Sequence, residues 1–266
     1  MTEPKPESRK TTYERPPLRE VSFGMSFAAL QGFRAAHYGV FWSRLGREFT
    51  ETFDKPVVGD VRATLSSSEE WFPLPRVWYV HRDKAQLVQL QPNRFYFNWR
   101  KVTPQTPYPR FEMLEPLFQD HVSKLGTFVA EQGLGDLQIE GVELTYTNHI
   151  FQGEAWTDVQ DIAKVFPDLG WRPREKPMGR AAGFAWTAVF DSAHGKLNVT
   201  INHGTVPEDP SKQLFVLELR ATHSRTGLTI AEMRTWLRAA NELIVGAFED
   251  LTSARLQKEV WKRVSG

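Results

Sequence analysis

The chain has no cysteine in 266 residues. That excludes disulfides, thiolate metal sites and a cysteine nucleophile, and it suits a reducing compartment such as the cytoplasm. No apolar run approaches the roughly 20 residues that cross a membrane as a helix, and the N-terminus lacks the apolar core of a signal peptide. A charge bias is missing too. Lys and Arg number 33 against 32 Asp and Glu, a net charge of +1, which weighs against an electrostatic nucleic-acid binder and against an acidic disordered chain. Catalytic signatures are absent. No G-x-x-x-x-G-K-[ST], H-E-x-x-H or G-x-S-x-G occurs, so nucleotide hydrolysis, zinc proteolysis and hydrolase-type acyl transfer lack their usual scaffolds. His81-Arg82-Asp83 has the opening of a kinase catalytic loop. Val88 stands where that loop needs Asn, however, and no glycine-rich phosphate loop accompanies it, so it reads as a turn at a strand end. The seven histidines include no pair four residues apart, and neither a metal nor a cofactor is expected.

What is present is pattern. Gln86 to Arg100 reads as one β-hairpin turning at Pro92-Asn93. Alternation places Val88 and Leu90 opposite Phe97 and Phe95 on one face, and Leu87, Gln89 and Gln91 opposite Asn98, Tyr96 and Arg94 on the other. Before it, residues 1–16 are polar and proline-rich and read as a flexible leader. Arg19 to Ala28 then alternates as a strand. A helix follows, with Tyr38, Phe41, Trp42, Leu45 and Phe49 on one stripe. A strand over Arg76 to His81 precedes the hairpin, and a helix from about Tyr108 to Gln132 follows it, with Leu114, Leu117, Phe118, Leu125 and Phe128 inward and His121 on the same apolar stripe. Gly133 is its expected stop.

From Leu137 the order recurs: a strand to Ile150, a short helix capped by Thr157 and Gln160 and ended by Pro167, and strands over 183–191, 196–203 and 213–223. A long helix closes it, opened by the capping box of Thr229 and Glu232. Its apolar stripe runs through Met233, Trp236, Leu237, Ala240, Ile244, Phe248 and Leu251. Residues 254–264 are expected to be helical as well. The expectation is an α+β protein of antiparallel sheets with long helices on one face. It would be built from two β-α-β-β-β-α halves, 17–134 and 135–266, and be saddle-like or helix-grip-like by analogy. The polar sheet faces would remain exposed and join in a saddle or cleft.

Several segments jointly resemble a sporadically distributed, uncharacterised prokaryotic protein family of about this length. They include Pro16-Pro17-Leu18-Arg19-Glu20-Val21-Ser22-Phe23, Tyr38-Gly39-Val40-Phe41-Trp42, Gln89-Leu90-Gln91, Phe97-Asn98-Trp99-Arg100, Tyr108-Pro109-Arg110-Phe111-Glu112 and Glu143-Leu144-Thr145-Tyr146-Thr147-Asn148-His149-Ile150. The stretch from Ala240-Asn241-Glu242 to Thr252 is similar to that family's last helix, except that Asn241 stands where relatives carry His or Arg. The resemblance implies no activity. It implies occurrence in mobile loci of the defence, toxin-antitoxin or immunity kind.

The residues themselves suggest a non-enzymatic binding or adaptor protein that meets a protein partner or a small polar ligand. Arg100 would clamp a carboxylate or phosphate through its planar fork, and Gln89, Gln91, Tyr96 and Asn98 would shape specificity. Arg110, beside a helix start that Pro109 opens, would add an anion contact. Internal ion pairing of Arg100 with Glu112 or Glu143 is the competing account. An alternative function is a hydrolase or nuclease-like effector, with His149 as acid-base group, Glu143 as its carboxylate and Arg100 as anion clamp. A third reading, nucleic-acid binding by a saddle-shaped sheet, is disfavoured by the near-neutral charge. No membrane association is expected, and exposed sheet edges leave self-association open.

Overall fold

The computed structural model describes residues 11–59, 74–170, 179–206 and 209–264. The first half of the chain holds β1 (Thr12–Tyr13), β2 (Leu18–Phe27), α1 (Ala35–Leu45), β3 (Phe49–Lys55), β4 (Arg76–His81), β5 (Gln86–Gln91), β6 (Arg94–Arg100) and α2 (Phe111–Glu131). The second holds β7 (Ile139–Phe151), a 3-10 turn at Val159–Asp161 running into α3 (Ile162–Val165), β8 (Ala185–Ser192), β9 (Gly195–Val206), β10 (Asp209–Ser224), α4 (Ile230–Leu251) and β11 (Arg263–Val264).

Nine strands form one antiparallel sheet in the order β3-β4-β5-β6-β2-β7-β10-β9-β8. The fold is therefore α+β. The halves meet where β2 pairs with β7, from Glu20 opposite Thr147 to Ser26 opposite Gly141, so they share one continuous sheet. The order 4-5-6-2 on one side of this seam recurs as 8-9-10-7 on the other. The outer strand β3 and the short α3 break the correspondence.

Alternation explains which face is covered. Val21, Phe23 and Met25 of β2, Phe95 and Phe97 of β6, Val142 and Leu144 of β7, and Leu217 and Leu219 of β10 are each no more than 3% exposed. α2 and α4 lie over this apolar face, and their stripes are buried as Leu114, Phe118, Leu125 and Phe128, and as Met233, Leu237, Ala240 and Ile244. Phe23 stacks on Phe111 and Phe118 with ring centroids 5.7 and 5.4 Å apart, a geometry that adds to simple burial. Glu115 of α2, 3% exposed, meets Arg234 of α4 at 3.0 Å and Arg238 at 3.7 Å, which ties the two helices together. No described helix is long and apolar enough to cross a membrane.

The structure departs from the sequence expectation at several ends. The first helix stops at Leu45, because Gly46 takes φ 97 and turns the chain. Phe49 is buried as the first residue of β3. Helix and strand periods coincide there, since either packs one aromatic residue inward. α2 begins at Phe111, with Pro109 outside it, and Leu117 is 38% exposed. The short turn before α3 is capped by Asp158, whose carboxylate accepts from the Gln160 amide, and Thr157 instead donates to Asp161. The capping box of Thr229 and Glu232 is present, with bonds of 2.9 and 3.2 Å. Residues 254–264 are not one helix but a π-turn at Leu256–Val260 followed by β11.

β11 pairs with β1, Tyr13 lying opposite Arg263. Tyr13 packs edge-on against Phe248 and Trp261. The segment from Thr11, expected to be a flexible leader, is thus held as a strap against the end of α4. The rest of that leader, residues 1–10, lies outside the described residues.

Candidate functional site

The hairpin has the expected register, with Val88 opposite Phe97, Gln89 opposite Tyr96 and Leu90 opposite Phe95. Its polar face, expected to be open, is closed. Gln89, Gln91, Tyr96 and Asn98 are 5%, 0%, 6% and 4% exposed, and their polar groups are used internally. Arg76 donates to Gln89 at 2.8 Å, Gln89 to Asn98 at 2.7 Å, and Asn98 to Glu20 at 2.6 Å, a chain crossing four strands. Gln91 is satisfied on both sides by the backbone of Val58 and bonds Asn93 as well. The Tyr96 ring lies against Gly24, where an added Cβ would come within 2.6 Å of it and of Glu143. Arg100 donates to the Lys84 carbonyl at 3.2 Å and stacks over Trp78 at 5.6 Å. Neither Glu112 nor Glu143 pairs with it. Sequence shows polarity but not coverage, and here amides satisfy one another beneath the surface.

Burial raises the carboxyl pKa of Glu20. Asn98, Arg100 and Arg19 pull it the other way, and Glu218 pushes it further up. His149 is held neutral, its pKa lowered to about 4 by burial and by Arg19. It opens onto a wide cleft shared with Lys101 and Arg110. Glu143 lies six residues away on the same strand, about 20 Å at ~3.3 Å per residue, and touches Tyr96 instead. The structure does not bring His149 and Glu143 together. His121 is buried, as its place on the apolar stripe suggests, with its pKa lowered to about 4, chiefly by burial.

A second cavity lies on the opposite, helix-covered side of the sheet. It occupies about 260 Å³ between the start of α2 and the middle of α4. Tyr146 and Asn148 of β7 and Leu219 of β10 floor it, the strap from Thr11 to Leu18 closes one side, and Phe111, Ile244 and Phe248 supply apolar walls. Antiparallel pairing places Asn148 beside Leu217, and its amide donates to that carbonyl at 3.4 Å. Tyr146 donates to the Asn241 side-chain oxygen at 2.7 Å, and the Tyr108 hydroxyl lies 3.1 Å from that of Tyr146. Burial raises the Tyr108 phenol to about 12 and Tyr146 well above its ordinary value, so both remain protonated at neutral pH.

Arg110 stands at the mouth. It occupies the N-cap position of α2 at φ 69 and ψ 157, a conformation populated almost solely by glycine. Its guanidinium lies 6.0 Å over the Tyr108 ring and reaches the Tyr13 carbonyl at 3.5 Å. Of the ligand contacts expected from the sequence, Arg110 is the one that lines this cavity. Tyr108, Tyr146, Asn148 and Asn241 line it as well, and sequence reasoning alone does not mark them as ligand contacts. The signal was there in Asn148, a polar residue in phase with Leu144, Tyr146 and Ile150 on an otherwise apolar face. Among the described residues no group of three or more metal-ligating side chains converges. A scan against protein-family models matches none of them, and a search of the curated proteins returns no match.

Proposed function

We propose that this protein is a non-enzymatic binding or adaptor protein that takes a small polar ligand in the cleft between α2 and α4. The observation that carries the reading is the meeting of two phenols and two amides on the floor of a cavity whose walls are apolar. Few polar groups on an apolar lining is the usual composition of a small-molecule site. The hairpin face is the weaker candidate, because its amides already bond one another. A hydrolytic role for His149 with Glu143 and Arg100 would need His149 and Glu143 together, and they lie about 20 Å apart along β7. A ligand-responsive adaptor also suits the mobile defence, toxin-antitoxin or immunity setting that the family resemblance implies. The strap and β11 would then be the natural path from cleft to partner.

Gly246 offers a clean test. It lies inside α4 and lines the cavity, and a Cβ built on it meets nothing within 4 Å. Gly246→Leu therefore fills the cleft while removing a helix-interior glycine, which by itself favours the helix by about 0.5–1 kcal/mol. The protein is purified under non-denaturing conditions from its native host, and retained small molecules are read by mass spectrometry. Wild type is expected to release a compound that Gly246→Leu, folded and at least as stable, does not. The same compound in equal amount from both would overturn the assignment of the cleft.

A further inference from the structure

Resting on the cleft-binding reading, we infer that its floor selects an uncharged ring that presents a hydrogen-bond acceptor beside a donor on one edge. This is the pattern of a cyclic amide or a nucleobase-like heterocycle. The argument starts from the hydrogens. Tyr146 gives its single hydroxyl proton to Asn241 Oδ1 at 2.7 Å. The 3.1 Å contact between the phenols is then made by the Tyr108 proton, and Tyr146 accepts it. This relay fixes the Asn241 amide with its oxygen occupied and neither Nδ2 hydrogen given to an acceptor among the described residues. Asn148, 4% exposed, spends an Nδ2 hydrogen on the Leu217 carbonyl, and its Oδ1 has no donor among the described residues. The floor thus offers donors from Asn241 and acceptors from Asn148 and Tyr108.

Charge decides the rest. Every polar group on the floor is neutral. The charged side chains stand elsewhere: Arg110, Glu112 and Glu242 are exposed at the mouth, and Glu249 is held by Arg263 at 2.9 Å. An ionised group pressed to the floor would lose its hydration, and the one cation lining the cavity among the described residues, Arg110, stands at the mouth 6.0 Å over the Tyr108 ring and reaches for the Tyr13 carbonyl. A neutral donor–acceptor edge loses less and regains its bonds. The volume of about 260 Å³ leaves room for one substituted ring against the apolar walls of Phe111 and Ile244.

The full chain is titrated with three probes, followed by the amide signals of the cleft residues in NMR spectra: 2-pyridone, which carries N–H beside C=O; benzoate, of similar size but anionic; and benzene. Wild type is expected to bind 2-pyridone more tightly than benzoate. Asn241→Leu should weaken 2-pyridone roughly tenfold, the loss typical of one hydrogen bond, and leave benzene unchanged. Asn241→Asp keeps the oxygen that Tyr146 needs and removes the Nδ2 donor, so it should also weaken 2-pyridone, and unchanged benzene binding shows that each variant is folded. Benzoate binding as well as or better than 2-pyridone, or 2-pyridone indifferent to both substitutions, overturns the inference while leaving the cleft as a binding site. Failure of all three probes to shift any cleft signal at millimolar concentration overturns the binding reading itself.

Discussion

Glu20 accepts a 2.6 Å hydrogen bond from Asn98 on a sheet surface that removes most of its water. Because burial raises its pKa in the fold, the folded chain binds this proton more readily than the unfolded one. The resulting stabilisation is fully present below the ordinary value of 4.5 and is lost as pH rises through the raised value. At neutral pH the ionised carboxylate is a cost. Glu20→Gln keeps an oxygen for Asn98 and carries no charge, so its urea midpoint at pH 7 should exceed that of wild type, with the gap closing towards pH 4. Equal midpoints at pH 7 would show that Asn98, Arg100 and Arg19 fully compensate the burial. The sign is opposite for His121 and His149. Their pKa values are lowered to about 4, so the stability they contribute as neutral rings is present above about pH 6.5 and lost as pH falls through 4. The comparison of Glu20→Gln with wild type cancels that background.

At the scale of elements, α2 begins in strain. Arg110 holds φ 69 and ψ 157 without a side-chain cap bond. Such a backbone costs a non-glycine residue about 1–3 kcal/mol, set against the ~0.5–1 kcal/mol of extra entropy that glycine loses on folding. Arg110→Gly is therefore expected to stabilise the protein by about 1 kcal/mol in chemical denaturation, while removing the guanidinium from the cleft mouth. Destabilisation would mean that the contacts to Tyr108 and Tyr13 outweigh the strain. Element identity was largely legible in the sequence because period-two and period-3.6 apolar patterns are local. The register of β5 on β6 and the Thr229–Glu232 cap follow from neighbours a few residues apart. Coverage was not legible. Val58 reaching Gln91 across 33 residues is a long-range event, and a row of buried amides reads in sequence like a row of exposed ones. The cleft was hidden for the same reason: Tyr108, Tyr146 and Asn241 come from the loop before α2, from β7 and from α4, far apart in the chain.

For the whole molecule, the pairing of β2 with β7 makes the two halves a single sheet, and α2 and α4 cover it from one side. The cleft lies between those helices, above β7 and β10, with the strap from Thr11 to Leu18 along one side. A ligand seated there touches both halves and the strap from Thr11 to Leu18, whereas the polar hairpin face is occupied by its own bonds. Hydrogen–deuterium exchange with and without a small-molecule extract of the native host separates these two surfaces in one measurement, because ligand binding slows local opening where contacts form. The account predicts slowed exchange across residues 11–18, 108–114 and 241–249 and none across 86–100. Protection of 86–100 with no change around the cleft would contradict it.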